Sequence, residues 1–254
     1  MRAPRLTIGC LVACAALLPA LAPAQGCAAP AAPPRAAVPQ MQARDPATWL
    51  GEHEAIGARM RQLRDADIVF IGDSITAHFS DEGRFGRLLP GRTALNLAVP
   101  GDQTENVLWR LDRLDLAALH PRQAVLLIGT NNLRGDDSAC DILAGIAAIE
   151  RRVRAAWPQV QLVVLGILPR GEGMAFALER RRDVNAGLRQ MGVERGFSFI
   201  DPTEAFVCGG SNACGYYRDD LLHLLAAGYE RYWSLLQPVL DGNVPGVSAD
   251  IRTH

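Results

Sequence analysis

The sequence predicts an α/β protein with a three-layer, flavodoxin-like doubly wound sheet of about five parallel strands. Three observations lead there. Strand-like apolar runs alternate with helical patterns from residue 68 to residue 240. The runs are continuous rather than alternating, Ile68-Val69-Phe70-Ile71 first among them, as in strands buried on both faces. Three runs stop at polar turns, Gly72-Asp73-Ser74, Gly101-Asp102 and Gly129-Thr130-Asn131-Asn132, and the carboxyl ends of strands are where open α/β sheets gather chemistry.

The chain opens with Arg2 and Arg5, a mostly apolar run from Leu6 to Leu21 broken by Pro19, and the small-residue stretch Ala22-Pro23-Ala24. That is the pattern of a secretory signal, so residues 1–24 are expected to be removed and the protein exported, to the periplasm or beyond. A lipid anchor at Cys27 stands as a variant, because Ala24-Gln25-Gly26-Cys27 places a cysteine after small residues; no later segment is long enough to span a bilayer. Residues 25–47 are rich in Ala and Pro and are expected to form a linker.

The main domain is expected over residues 48–242. A helix is predicted over Thr48–Arg64, where Leu50, Ile56, Met60 and Leu63 recur at helical spacing, and Asp65-Ala66-Asp67 ends it. The strand at Ile68 follows. Thr93–Val99 is a second strand, and Thr104–Leu119 an amphipathic helix with Val107, Leu108, Leu111 and Leu114 on one side. Ala124–Ile128 is a third strand, and Ser138–Ala156 a helix stopped by Pro158. Gln161–Leu168 is a fourth strand. Glu179–Arg195 is a charged helix with Val184, Leu188 and Met191 inward, closed by Gly196. Phe197–Ile200 is the fifth strand, and Ala226–Leu240 the last helix, with Pro238 bending or ending it. Residues 243–254 read as a flexible tail.

With 254 residues, 49% of them hydrophobic, the chain can bury one sizeable core. A net charge of -1 without a basic stripe argues against nucleic acid as a partner. Of six cysteines, Cys10 and Cys14 lie in the signal segment and Cys27 at its edge. Cys208 and Cys214 flank Gly-Gly-Ser-Asn-Ala and are expected to close a small loop by a disulfide, which an oxidising compartment permits. Cys140 is then the odd one out, expected as a small buried hydrophobe. No spacing of Cys and His suits zinc, and no phosphate loop is present, so neither a metal nor any other cofactor is expected.

Ser74, at the first turn, reads either as a nucleophile or as a helix cap. The decision comes from Asp220-Leu221-Leu222-His223. A carboxylate three residues before a histidine can accept the Nδ1 proton and orient the ring, leaving Nε2 free to take a proton from a serine. His53, His78, His120 and His254 have no acid at that offset.

Gly72-Asp73-Ser74-Ile75, Gly101, Asn131 and Asp220-x-x-His223, in that order, resemble the SGNH hydrolases, also called the GDSL esterase/lipase family. The stretches Gly101–Leu111, Val125–Asn132 and Asp220–Leu224 look like the branch related to platelet-activating-factor acetylhydrolase subunits. The resemblance spans Ile68 to His223. It implies Ser74 as nucleophile, His223 as general base and Asp220 as its orienting acid. It further implies an oxyanion hole made of the Ser74 and Gly101 backbone N–H groups and the Asn131 side-chain amide. Such donors are typically worth roughly 3–4 kcal/mol each. Branch members often carry Gly where this chain has Ala98, which changes the shape expected of the acyl pocket. The α/β-hydrolase elbow Gly-x-Ser-x-Gly does not fit, because Thr76 stands in place of the second glycine.

The implied activity is that of an exported serine esterase acting on short-chain esters, acetyl first. Its partner is a small-molecule or glycan ester, such as an O-acetylated polysaccharide. Lysophospholipase or thioesterase activity on the same triad is the alternative, and a non-catalytic glycan-binding module is the rival from another class.

Overall fold

The computed structural model describes residues 27, 32–212 and 214–243. The expected signal segment and residues 244–254 of the expected tail lie outside the described residues. Five parallel strands form one sheet: β1 (Ile68–Gly72), β2 (Ala94–Asn96), β3 (Gln123–Leu127), β4 (Gln161–Leu165) and β5 (Ser198–Ile200). Their order is β2-β1-β3-β4-β5, so the chain reverses its direction of travel across the sheet between β1 and β3. The crevice above that reversal is the usual binding place in such folds.

The side-chain period of two explains the layers. Val69, Ile71, Ala124, Leu126, Leu162 and Val164 face one core, shared with α1 (Pro46–Gln62), α4 (Thr104–Leu111), α5 (Ala139–Ala156) and α6 (Leu178–Arg195). Ile68, Phe70, Val125, Leu127, Val163 and Leu165 face the other, shared chiefly with α8 (Ala226–Leu240), whose Tyr229, Tyr232, Trp233 and Leu236 are buried. Pro238 falls inside the last turn of α8 without ending it early.

Three expected strands are shorter than predicted, for identifiable reasons. After β2, Leu97 and Val99 still donate to the carbonyls of Phe70 and Gly72, so the chain follows β1 while leaving regular pairing. After β4, the Asn185 side chain takes both backbone groups of Ile167 and replaces the ladder. Phe197 remains outside β5, its N–H closing the end of α6 on Gly192. The turn at Ser74 opens a short helix, α2 (Ser74–Ala77), and two further short helices, α3 (Arg84–Leu88) and α7 (Thr203–Phe206), have no counterpart in the sequence reading.

The larger correction concerns the N-terminal segment. Residues 32–45, expected as part of a linker, lie against the domain as a strap. Ala36 is fully buried. Thr104 Oγ1 donates to the Ala36 carbonyl at 2.8 Å, Gln40 N–H donates to the Glu105 carbonyl, and Asn106 Nδ2 donates to the Gln40 carbonyl. Arg35 pairs with the carboxylates of Glu105 and Asp137. Cys27 is bonded to Cys140, 113 residues away. Cys140 is therefore an exposed half-cystine rather than a buried hydrophobe. The same bond consumes the Cys27 thiol that a lipid anchor would need. Cys208 and Cys214 are bonded to each other, as expected.

Candidate active site

β1 ends at Gly72, where only glycine fits: a Cβ there would lie 2.3 Å from the Leu127 carbonyl oxygen and 2.4 Å from Thr76 Oγ1. Asp73 turns the chain and caps α2, its Oδ1 accepting from Ile75 N–H at 3.0 Å. The cap is thus Asp73, which leaves the Ser74 hydroxyl free of that duty. Burial pushes the Asp73 carboxyl up to about 7; the Ile75 N–H opposes this, and the nearby Asp102 adds to it.

Ser74 Oγ lies 2.9 Å from His223 Nε2, and His223 Nδ1 lies 2.6 Å from an oxygen of Asp220. Ser74 and His223 lie 149 positions apart in the chain. The Asp220–His223 segment is not helical. The other oxygen of Asp220 accepts the backbone N–H groups of Leu222 and His223 at 3.0 and 2.9 Å. Leu221 sits at φ 52°, a costly conformation for a side chain of its size, and its carbonyl is held by Gly171 N–H. Burial acts to raise the Asp220 carboxyl, but the hydrogen bonds from the His223 ring and from the two N–H groups outweigh it and hold it at about 2. A carboxylate so held stays ionised and fixes the ring with Nδ1–H toward it and Nε2 toward the serine.

The other two turns stand beside this one because β2 and β3 flank β1. Gly101 adopts φ 83°, which glycine adopts at little cost. Asn131 Nδ2 donates to the Asp102 carbonyl at 2.9 Å, which ties the turn after β3 to the turn after β2. A primary amide has a second N–H to offer. Below, Asp102 is fully buried and accepts from Trp49 Nε1 at 2.6 Å and Arg110 Nε at 2.8 Å; Arg110 also donates to the Leu97 carbonyl. Burial raises the Asp102 carboxyl, and Arg110 and Trp49 only partly offset it. Asn132 accepts from Thr104 N–H and donates to Glu105 and Asp137, fastening the start of α4 to the turn after β3. Sequence reading missed Trp49, Arg110 and Asn132; the partners they need are set by tertiary packing.

His78, the histidine nearest Ser74 in sequence, pairs with Asp81 at 3.0 Å and meets the His223 ring edge-on, with centroids 5.7 Å apart. A cleft of about 430 Å³ runs past His78, Ala98 and Pro100, and another of about 460 Å³ past Gly101 and Asn131. Ala98, where the branch often has glycine, therefore forms part of a cleft wall. Among the described residues no group of three or more His, Cys, Asp or Glu could hold a metal ion.

A Ser-His-Asp chain at the switch point of a parallel sheet, with polar turns converging beside it, defines the hydrolase class to which the fold points. The model of the GDSL-like lipase/acylhydrolase family matches residues 70–231, and the chain belongs to that family as a carboxylic ester hydrolase. Platelet-activating factor acetylhydrolase IB subunit alpha1 of Rattus norvegicus is 33% identical over 183 residues, 71% of this chain and 77% of that protein. The alpha2 subunit of Homo sapiens is 30% identical over 208 residues, 82% of this chain and 88% of that protein. A GDSL-like lipase structure from Bacteroides thetaiotaomicron superposes with a TM-score of 0.61 at 17% identity, covering 78% of this chain and 98% of that one.

Proposed function

We propose that the protein is an exported serine esterase that removes short acyl groups, acetyl foremost, from O-acetylated glycans. Ser74 attacks the ester carbonyl while His223 Nε2 takes its proton. The imidazolium, steadied by Asp220, then protonates the leaving alcohol. Water activated by His223 hydrolyses the acyl-enzyme and regenerates Ser74. The developing oxyanion is held by the backbone N–H groups of Ser74 and Gly101 and by the Asn131 amide.

The observation that carries this reading is the unbroken chain Asp220–His223–Ser74, at 2.6 and 2.9 Å. The acetyl preference is supported by the relatives, which are named acetylhydrolases. Export is supported by the N-terminal pattern and by two disulfides, which fit an oxidising compartment. The second reading is a lysophospholipase or thioesterase activity on the same triad.

Hydrolysis of p-nitrophenyl esters of increasing acyl length tests the proposal, with wild type beside Ser74→Ala. Acetate should be cleaved best, and the variant should lose activity by about a thousandfold or more. A long-chain preference would move the reading to lipids. Unchanged turnover by Ser74→Ala would remove the mechanism.

A further inference from the structure

We propose that the cleft beside Gly101 and Asn131 is a subsite for a carboxylate of the ester substrate, held by Arg44 of the N-terminal strap and Arg134 of the turn after β3. This rests on the esterase reading above and narrows it to acidic sugars.

The strap places Arg44 at the site. A Cβ on Gly101 would lie 3.0 Å from Gln42 Nε2 and 3.5 Å from Arg44 Nη2, so the guanidinium hangs over the oxyanion glycine. Gln42 Nε2 donates to the Pro100 carbonyl at 3.3 Å and fixes the strap there. Arg134, three residues after Asn131, lines the same cleft.

The charges in the cleft do not cancel. Its carboxylate, Glu105, is 1% exposed and already paired with Arg35, and Asp137 is bound by Arg35 as well. Arg44 and Arg134 have no carboxylate partner among the described residues. Arg170, itself buried, donates to the Thr130 carbonyl, one residue before Asn131. The opposite cleft is mixed, with Glu52 and Asp81 beside Arg59. Two guanidiniums flanking an amide-rich hollow suit a planar carboxylate, which Arg binds bidentately. Gln42 and Gln103 line the cleft as well and can meet hydroxyl groups, beside the apolar Met41 and Ala43.

The test compares kcat/KM on O-acetylated oligogalacturonate, O-acetylated xylo-oligosaccharide and an acetyl-ester phospholipid, for wild type and Arg44→Gln/Arg134→Gln. Wild type should prefer the acidic sugar at least tenfold over the neutral one, and 0.5 M salt should erode that preference. The double variant should shrink the acidic-to-neutral ratio at least tenfold, through KM. Equal loss on both sugars, or no wild-type preference, overturns the subsite. A preference for the phospholipid overturns its assignment to a sugar. Failure to cleave any ester, p-nitrophenyl acetate included, overturns the esterase reading itself.

Discussion

The backbone carbonyl of Asp102 accepts a hydrogen bond from the Asn131 side chain at 2.9 Å, while the Asp102 carboxylate is clamped by Arg110 and Trp49 underneath. One residue thus couples the turn after β2, the turn after β3 and the first helix. The donors expected to meet an oxyanion are positioned from a buried charge pair rather than by loop geometry alone.

Removing one partner of that pair should be costly. Arg110→Met leaves the Asp102 carboxylate buried against Trp49 alone, and should cost about 3–5 kcal/mol in urea unfolding. Trp49→Phe, which removes a single donor, should cost about 1–3 kcal/mol. A smaller effect from Arg110→Met than from Trp49→Phe would show that the ion pair is not the main support.

Gly101→Ala should impair both stability and turnover. At φ 83° a side chain is strained, and the new methyl would press on Gln42 at 3.0 Å. The expected destabilisation is about 1–2 kcal/mol, with kcat falling more than KM rises. Thermal melts and steady-state kinetics on one preparation measure both.

Asp220 gives a pH signature with a definite sign. Its folded value, about 2, lies below its ordinary value, so its contribution is fully present above pH 4 and is lost as pH falls towards 2. Asp220→Asn should therefore close most of its stability gap to wild type between pH 4 and pH 2. At neutral pH the same variant should lose about 10⁴ in kcat, because the ring is no longer held in the required tautomer.

Asp73 should behave in the opposite sense. Its carboxyl is raised to about 7, so the folded protein binds a proton that the unfolded chain has released between pH 4 and pH 7. That term loses stability as pH rises through this window. Asp73→Asn retains a capping oxygen for Ile75 and should remove that slope, which chemical unfolding at pH 5 and pH 8 would reveal.

The Cys27–Cys140 bond closes 113 residues. Cys27→Ser should cost about 2–5 kcal/mol, against less for Cys208→Ser, whose loop spans six. A reductant should bring wild type down to the Cys27→Ser value if the long bond is the stabilising one.

Much of this molecule was legible from local pattern. Four-residue apolar runs such as Ile68–Ile71 marked parallel strands, and the Asp220-x-x-His223 spacing pointed to the carboxylate and ring that lie 2.6 Å apart. What escaped was held by distant partners. The strap from Ala32 to Asp45 has too few large apolar groups to announce structure; it is ordered by Arg35 on Glu105 and Asp137, by Thr104 and Asn106 side chains donating to the Ala36 and Gln40 carbonyls, and by a cysteine 113 positions away. Arg110 lies in a helix whose sequence shows only its apolar side, Val107, Leu108, Leu111 and Leu114, yet it is wholly buried because it pairs with Asp102. Spacing along a chain cannot show such pairings.

The central claim is that Ser74 is the nucleophile, and active-site phosphonylation followed by peptide mass spectrometry tests it most directly. A fluorophosphonate should leave a single adduct on the peptide bearing Ser74, with labelling greatly slowed in His223→Ala. An adduct on another residue, or ester hydrolysis that persists while Ser74 stays unlabelled, would contradict the account.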